Sequence, residues 1–122
     1  MAKRTTVLIV DDSSYASKQL GQVIESIAGF AVIGYATNGA EAVQLYQELT
    51  PDVVCMDIVM PILDGLQALR AIKKIDGEAK VVIVTSVGTR GEKRDEALRL
   101  GAKSVISKPF EASSVRSVLE SL

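Results

Sequence analysis

Three short stretches of the chain are apolar without a break: Val7-Leu8-Ile9-Val10, Val53-Val54-Cys55-Met56 and Val81-Val82-Ile83-Val84. Runs of this length, rich in β-branched side chains, predict strands buried on both faces, as a parallel sheet requires. Phe30 to Ala36 and Ser104-Val105-Ile106 predict two further strands. Between these runs the apolar positions recur at helical spacing. Ala16, Leu20, Val23, Ile24 and Ile27 share one face. Asn38 is placed to cap a helix holding Ala42, Val43, Leu45 and Leu49, which Pro51 closes. Leu66, Leu69, Ile72 and Ile75 form a third stripe; Thr89 to Leu100 form a fourth helix with Gly101 at C′; Val115, Val118, Leu119 and Leu122 form a fifth. The alternation predicts an α/β fold, (βα)5, in which a doubly wound parallel five-stranded sheet lies between two helical layers with right-handed crossovers.

The fourth helix departs from the amphipathic pattern. Arg90-Gly91-Glu92-Lys93-Arg94-Asp95-Glu96 has almost no apolar content, and a glycine inside a helix costs on the order of 1 kcal/mol against alanine. It reads either as an ordinary solvated face or as a weakly held element that a signal can shift.

Composition narrows the chemistry. At 122 residues the chain has the size of one domain, expected to bury about two thirds of its unfolded surface and to leave roughly 6,300 Å² accessible. Histidine is absent, which excludes histidine acid–base catalysis, histidine-ligated zinc and phosphohistidine on this chain. The single cysteine, Cys55, excludes an internal disulfide and a cysteine metal cluster; inside its apolar run it reads as a small buried hydrophobe. A net charge of −1 supplies no field for DNA or RNA. The first apolar run ends at Asp11-Asp12, too soon for a signal sequence or a membrane span, so a cytoplasmic location is expected. Carboxylates, hydroxyls, Lys and Arg are left to carry any chemistry.

In an open parallel sheet, ligands bind beyond the carboxyl ends of the strands. The sequence places Asp11 and Asp12 after the first strand, Asp57 after the third, Thr85 and Ser86 at the end of the fourth, and Lys108-Pro109 after the fifth. Each has a structural explanation of its own: a helix cap at Asp12-Ser13-Ser14, an acidic turn at Asp57, a strand residue at Thr85, a loop at Lys108-Pro109. Together they converge on one edge. Two carboxylates about 4 Å apart repel by roughly 4 kcal/mol at an effective dielectric near 20, so three of them require a cation. Lys108 is one candidate. Mg²⁺, suited to oxygen ligands and water, is the other, with Asp12 and Asp57 as direct ligands, Asp11 through water, and a backbone carbonyl just after Asp57. The same set fits phosphoryl transfer. Asp57 would be the carboxylate nucleophile that becomes an acyl phosphate, while the metal, the Thr85 hydroxyl and the Lys108 ammonium each take one phosphoryl oxygen.

The segments Leu8-Ile9-Val10-Asp11-Asp12-Ser13, Met56-Asp57-Ile58-Val59-Met60-Pro61-Ile62-Leu63-Asp64-Gly65, Val84-Thr85-Ser86 and Ser107-Lys108-Pro109-Phe110 stand in this order at the ends of the predicted strands. With them the chain resembles a response-regulator receiver domain of the stand-alone chemotaxis type over essentially its whole length. The resemblance implies a flavodoxin-like sheet in strand order 2-1-3-4-5, phosphorylation of Asp57 by a histidine kinase, and Mg²⁺ held by Asp11, Asp12, Asp57 and the Val59 carbonyl. It implies that Thr85 moves toward the phosphoryl group, that Lys108 pairs with it, and that the Lys108–Pro109 bond is cis. The protein is then a signalling protein that assists its own phosphorylation rather than an enzyme. Phosphorylation would shift the face made by the fourth helix, fifth strand and fifth helix, and a docking partner such as a motor switch component would read it. A single monomeric receiver over residues 1–122, with no attached output domain and a separate phosphatase for reset, completes the expectation.

Two positions depart from the family pattern. Val105 stands where a switching aromatic is common, which moves the expected output surface toward the polar fourth helix, Arg116 and its neighbours. Val59 and Val87 flank the phosphoryl site, and neither can orient an attacking water, so slow self-dephosphorylation is expected. Rival readings remain at this point. A flavodoxin-like redox protein would need a phosphate-binding loop where Asp11-Asp12 oppose phosphate. An aspartate-nucleophile phosphatase would need a second acid where Val59 stands. A receiver used as an unphosphorylated scaffold, or one cut from a larger regulator, shares every motif.

Overall fold

The computed structural model describes residues 4–86 and 91–122. Among them, β1 (Thr5–Val10), β2 (Phe30–Ala36), β3 (Val53–Met56), β4 (Lys80–Ser86) and β5 (Ser104–Lys108) form one parallel sheet in the order β2-β1-β3-β4-β5. They alternate with α1 (Ser14–Glu25), α2 (Gly39–Leu49), α3 (Gly65–Ile75), α4 (Gly91–Arg99) and α5 (Ala112–Glu120). This is the (βα)5 sandwich expected from the apolar pattern, in the flavodoxin-like strand order that the resemblance implies.

Successive strand side chains point to opposite faces, and the two cores follow that alternation. Leu8, Val10, Val54, Met56, Val81 and Ile83 pack with residues of α2, α3 and α4, whereas Val7, Ile9, Val53, Cys55, Val82 and Val84 pack with α1 and α5. Each fully buried Val, Leu or Ile side chain is worth about 1.5–3 kcal/mol relative to exposure, so β1, β3 and β4 hold the sheet. The accessible surface is 6680 Å², close to the size expectation. Cys55 lies within this core, where burial pushes its thiol pKa up to about 12, so it is an inert hydrophobe as expected.

The helix ends carry the expected chemistry and some that sequence reading missed. Ser13 caps α1 and Asn38 caps α2, accepting from the N–H groups of Ala16 and Glu41. Asp64 caps α3 through a capping box with Gln67. Gly101, at φ +108, ends α4: its N–H donates to the Leu98 carbonyl and that of Ala102 to Ala97, the double bond of a Schellman motif. Three details differ from the expected stripes, the first being that Leu122 lies beyond the end of α5. Ile75, on the last turn of α3, is exposed, because the helix runs past the edge of the core there. Ile27 is buried but lies beyond the end of α1. Thr89 and Arg90, assigned to the fourth helix, lie outside the described residues. Within α4 only Ala97 is buried, so the helix is as polar in place as in sequence.

Candidate functional site: an acidic pocket at the carboxyl edge of the sheet

Strand register builds the site. Val10 lies opposite Met56 in the β1–β3 pair, so the next residues, Asp11 and Asp57, emerge side by side. The Asp57 N–H donates to the Val10 carbonyl at 3.0 Å and extends the ladder by one step. On the other side, Thr85 pairs with Ser107 and Ser86 with Lys108, which brings Thr85 and Lys108 to the same edge. One oxygen from each of Asp11, Asp12 and Asp57 lies within 4.8 Å of the others. Lys108 reaches across from β5: its Nζ donates to Asp11 Oδ2 and, at 3.1 Å, to Asp57 Oδ2.

The remaining carboxylate oxygens are held from below. Asp11 Oδ1 accepts the Ser13 N–H at 2.9 Å, which ties the acid to the residue that caps α1. Asp57 Oδ1 accepts the Ile58 N–H at 2.7 Å. The Gly65 N–H donates to the Ile58 carbonyl at 2.7 Å and closes the base of the β3–α3 loop. A Cβ at Gly65 would stand 1.9 Å from the Asp57 carbonyl oxygen, so the close approach of α3 to the site needs glycine. Burial grades outward: Asp11 is 6% exposed, Asp57 is half-buried and Asp12 is exposed. Thr85 is buried at 1% exposure, and Val59, on the loop beyond Asp57, is 68% exposed.

The electrostatics follow from this arrangement. Burial works against the charge on Lys108, but the hydrogen bond to Asp11 and the negative charges of Asp57 and Asp11 outweigh it, holding the ammonium pKa above its ordinary value. The ammonium therefore supplies part of the positive charge that the three acids require. Three carboxylates and one ammonium still leave a formal charge of −2 at the edge. An all-oxygen donor set with this residual charge fits a hard divalent cation such as Mg²⁺, and the residues present to hold it are Asp11, Asp12 and Asp57.

All five side chains expected from the sequence therefore stand at one edge, and the Lys108–Pro109 bond is cis, as the resemblance implies. Val87 lies outside the described residues. Val105, in place of an aromatic, is half-buried against the core that α4 covers. Sequence reading missed Arg94, whose guanidinium donates from α4 to Ser107 Oγ at 3.1 Å, beside Lys108. Its only sequence signal is a basic residue on a polar helix, which does not say what the side chain reaches.

Comparisons with known proteins agree with this geometry. The family model for the response regulator receiver domain matches residues 7–120. The chain is 46% identical over 115 residues to the chemotaxis protein CheY of Thermotoga maritima, covering 94% of this chain and 92% of that one. It is 44% identical over 115 residues, with the same coverage, to the chemotaxis protein CheY of Halobacterium salinarum. Among solved structures it resembles the CheX-CheY-BeF3-Mg+2 complex from Borrelia burgdorferi, with a TM-score of 0.91 and 36% identity, covering 98% of this chain and 89% of that one. The strand order, the acidic pocket and these similarities lead to one conclusion: the chain belongs to the response regulator receiver family, the receiver domains of two-component signalling, which bind Mg²⁺ at an acidic pocket.

Proposed function

We propose that this receiver is a phosphoacceptor switch in which Asp57 takes a phosphoryl group from the phosphohistidine of a histidine kinase. The observation that carries the reading is the Lys108 ammonium shared between Asp11 and Asp57, with Asp12 gathered into the same cluster. A site built only as a helix cap or an acidic turn has no use for a lysine from the far edge strand.

In the transfer, an Asp57 carboxylate oxygen attacks phosphorus. The P–O bond forms as the P–N bond to the donor histidine breaks, and the bonding pair stays on the nitrogen, so a donor ring already protonated on its other nitrogen leaves as neutral imidazole. Lys108 exchanges its contact with Asp57 for a phosphoryl oxygen and keeps Asp11 as its second partner, so the ammonium is never without a counter-charge. The Thr85 hydroxyl takes another phosphoryl oxygen. A Mg²⁺ ion held by Asp11, Asp12, Asp57 and the Val59 carbonyl would, when bound, neutralise charge on the phosphoryl group. The signal then leaves through α4, β5 and α5, where the Arg94–Ser107 hydrogen bond links the polar helix to the strand that carries Lys108. A downstream protein such as a motor switch component reads that face; the similarity to chemotaxis proteins supports a chemotaxis pathway. A separate phosphatase resets the switch.

Beryllofluoride, a mimic of the phosphoryl group, tests this directly. With Mg²⁺ it should shift the amide resonances near Asp57, Thr85 and Lys108 in the wild type and leave Asp57→Asn unchanged. An equal response in both proteins refutes the phosphoacceptor role.

A further inference from the structure

The segment 58–65 leaves the pocket after Asp57 and returns as α3, and it is tied at both sides. At its base the Gly65 N–H donates to the Ile58 carbonyl; at its far side the Gly39 N–H, at the start of α2, donates to the Leu63 carbonyl at 2.8 Å. Leu63 is held in two further ways. Its own N–H donates to the Pro61 carbonyl at 2.8 Å around Ile62, whose φ is +70, and its side chain packs against the core that α2 and α3 cover. The turn at Ile62 is a γ-turn of the strained hand, where the Cβ substituents of a β-branched residue crowd the backbone. Ile62 is 82% exposed, so burial of its side chain does not offset that strain. Strain of this kind persists only where the surroundings over-determine it. Here the surroundings are the Gly39–Leu63 hydrogen bond and the packing of Leu63.

Gly39 is what allows that bond. A Cβ there would overlap the Leu63 carbonyl oxygen and stand 2.8 Å from the carbonyl carbon, and backbone atoms cannot swing aside as the end of a side chain can. The helix gains nothing from glycine at its first position, because Asn38 already caps it. A glycine beside the cap and a strained turn at Ile62 share one result, a fixed course for the residues that follow Asp57. That course bears on the metal. Mg²⁺ demands a near-ideal octahedron of oxygens, which the carboxylates of Asp11, Asp12 and Asp57 do not complete by themselves. The proposed function gives a further protein oxygen to the Val59 carbonyl, two residues after Asp57 and four before Leu63. A backbone carbonyl has no rotamer of its own; it is aimed only by the course of its loop. We propose that Gly39 is a positioning residue of the metal site: through the Leu63 carbonyl it holds segment 58–65 on the course that presents the Val59 carbonyl to Mg²⁺. The inference rests on the Mg²⁺ ligands named in the proposed function.

The test titrates Mg²⁺, and separately Ca²⁺, into the full chain and its Gly39→Ala, Leu63→Ala and Leu119→Ala variants by calorimetry, at a temperature where circular dichroism shows each to be folded. Leu119 lies in the core on the other face of the sheet and controls for lost stability alone. For Gly39→Ala we expect Mg²⁺ to bind at least about fivefold more weakly, somewhat less than the loss of about 10–100-fold typical of a group that bonds a metal ligand directly. Ca²⁺ accepts irregular coordination and should weaken by less than about twofold, so the preference for Mg²⁺ falls. Leu63→Ala removes the packing that anchors the same carbonyl without adding an atom; it should weaken Mg²⁺ about threefold or more, and it decides the matter if Gly39→Ala does not fold. Leu119→Ala should lower Tm and leave both affinities within about twofold of wild type. Mg²⁺ binding within about twofold of wild type in either folded loop variant overturns the proposal, as does an equal loss of Mg²⁺ and Ca²⁺ in Gly39→Ala or an equal loss of Mg²⁺ in Leu119→Ala. If wild type binds no Mg²⁺, the metal set of the proposed function is itself lost, a result distinct from these.

Discussion

Replacing Lys108 by methionine removes the one cation that, among the described residues, the fold places between Asp11 and Asp57, while nearly keeping side-chain length. At 3.1 Å and an effective dielectric of 20, the Lys108–Asp57 pair is worth about 5 kcal/mol gross. Solvation regained by the separated groups offsets much of that. Removing one partner of a fully buried pair costs about 3–5 kcal/mol, and the Lys108 side chain is 21% exposed, so we expect a net loss of about 2 kcal/mol. For a chain of 122 residues this lowers Tm by about 6–12 °C without metal. The same change leaves the carboxylates with more negative charge and frees two oxygens, so Mg²⁺ should bind the variant more tightly. Each tenfold gain in affinity returns about 1.4 kcal/mol at saturating metal. Thermal melts followed by circular dichroism, with EDTA and then with graded MgCl2, measure both effects. The variant should melt well below wild type in EDTA and approach it as Mg²⁺ rises. A Lys108→Met variant that melts within about 2 °C of wild type in EDTA, or that gains no more from Mg²⁺ than wild type does, shows that the ammonium is not what balances these acids.

Asp12→Asn should act with the opposite sign: it removes an exposed like charge, so we expect up to about 1 kcal/mol of stabilisation in EDTA together with weaker Mg²⁺ binding, read from the same titration. Gly65→Ala should destabilise by more than about 3 kcal/mol and loosen the metal site, because the new Cβ would meet the Asp57 carbonyl oxygen at 1.9 Å; urea unfolding within about 1 kcal/mol of wild type counts against this. Alkaline stability should decline as three folded-state pKa values are passed. Burial pushes Cys55 up to about 12; burial and then the hydrogen bond to Asp76 push Tyr46 up to about 12; and Asp11 and Asp57, against the opposing effect of burial, hold Lys108 above its ordinary value. Each group is bound in its protonated form by the fold, so its contribution is complete below the ordinary pKa and disappears as pH rises through the folded-state one. Urea midpoints from pH 8 to 12 should therefore fall from about pH 9 upward, and Cys55→Ala and Tyr46→Phe should each flatten the decline. The native Cys55 thiol should also react with N-ethylmaleimide only as fast as the core opens, and half-modification within minutes at neutral pH would contradict its burial.

The pattern of the chain determined the strands, the helices and their order, because continuous β-branched runs and helical stripes satisfy only one layered arrangement. It also determined the chemical inventory. With no histidine and one cysteine, only carboxylates, hydroxyls, Lys and Arg were left, and in a parallel sheet the useful ones fall at the carboxyl edge by position alone. Asp11, Asp12, Asp57, Thr85 and Lys108 were legible for that reason. Tertiary structure decided everything that depends on which strands are neighbours and on how a loop turns. The sharing of Lys108 between Asp11 and Asp57 arises because the sheet order sets β5 on the far side of β3 and β4 and its lysine reaches back across that edge, although residues 11 and 108 are far apart in the chain. The hydrogen bond from Arg94 to Ser107 joins two elements whose sequences give no hint of each other. Ile62 shows the limit most clearly. In sequence it is one more apolar residue after Asp57, and only the backbone, by holding it at φ +70 and turning it outward, marks it as strained and exposed. Burial periodicity is a local property that a sequence carries; backbone sign and through-space charge are set by the packing of distant segments.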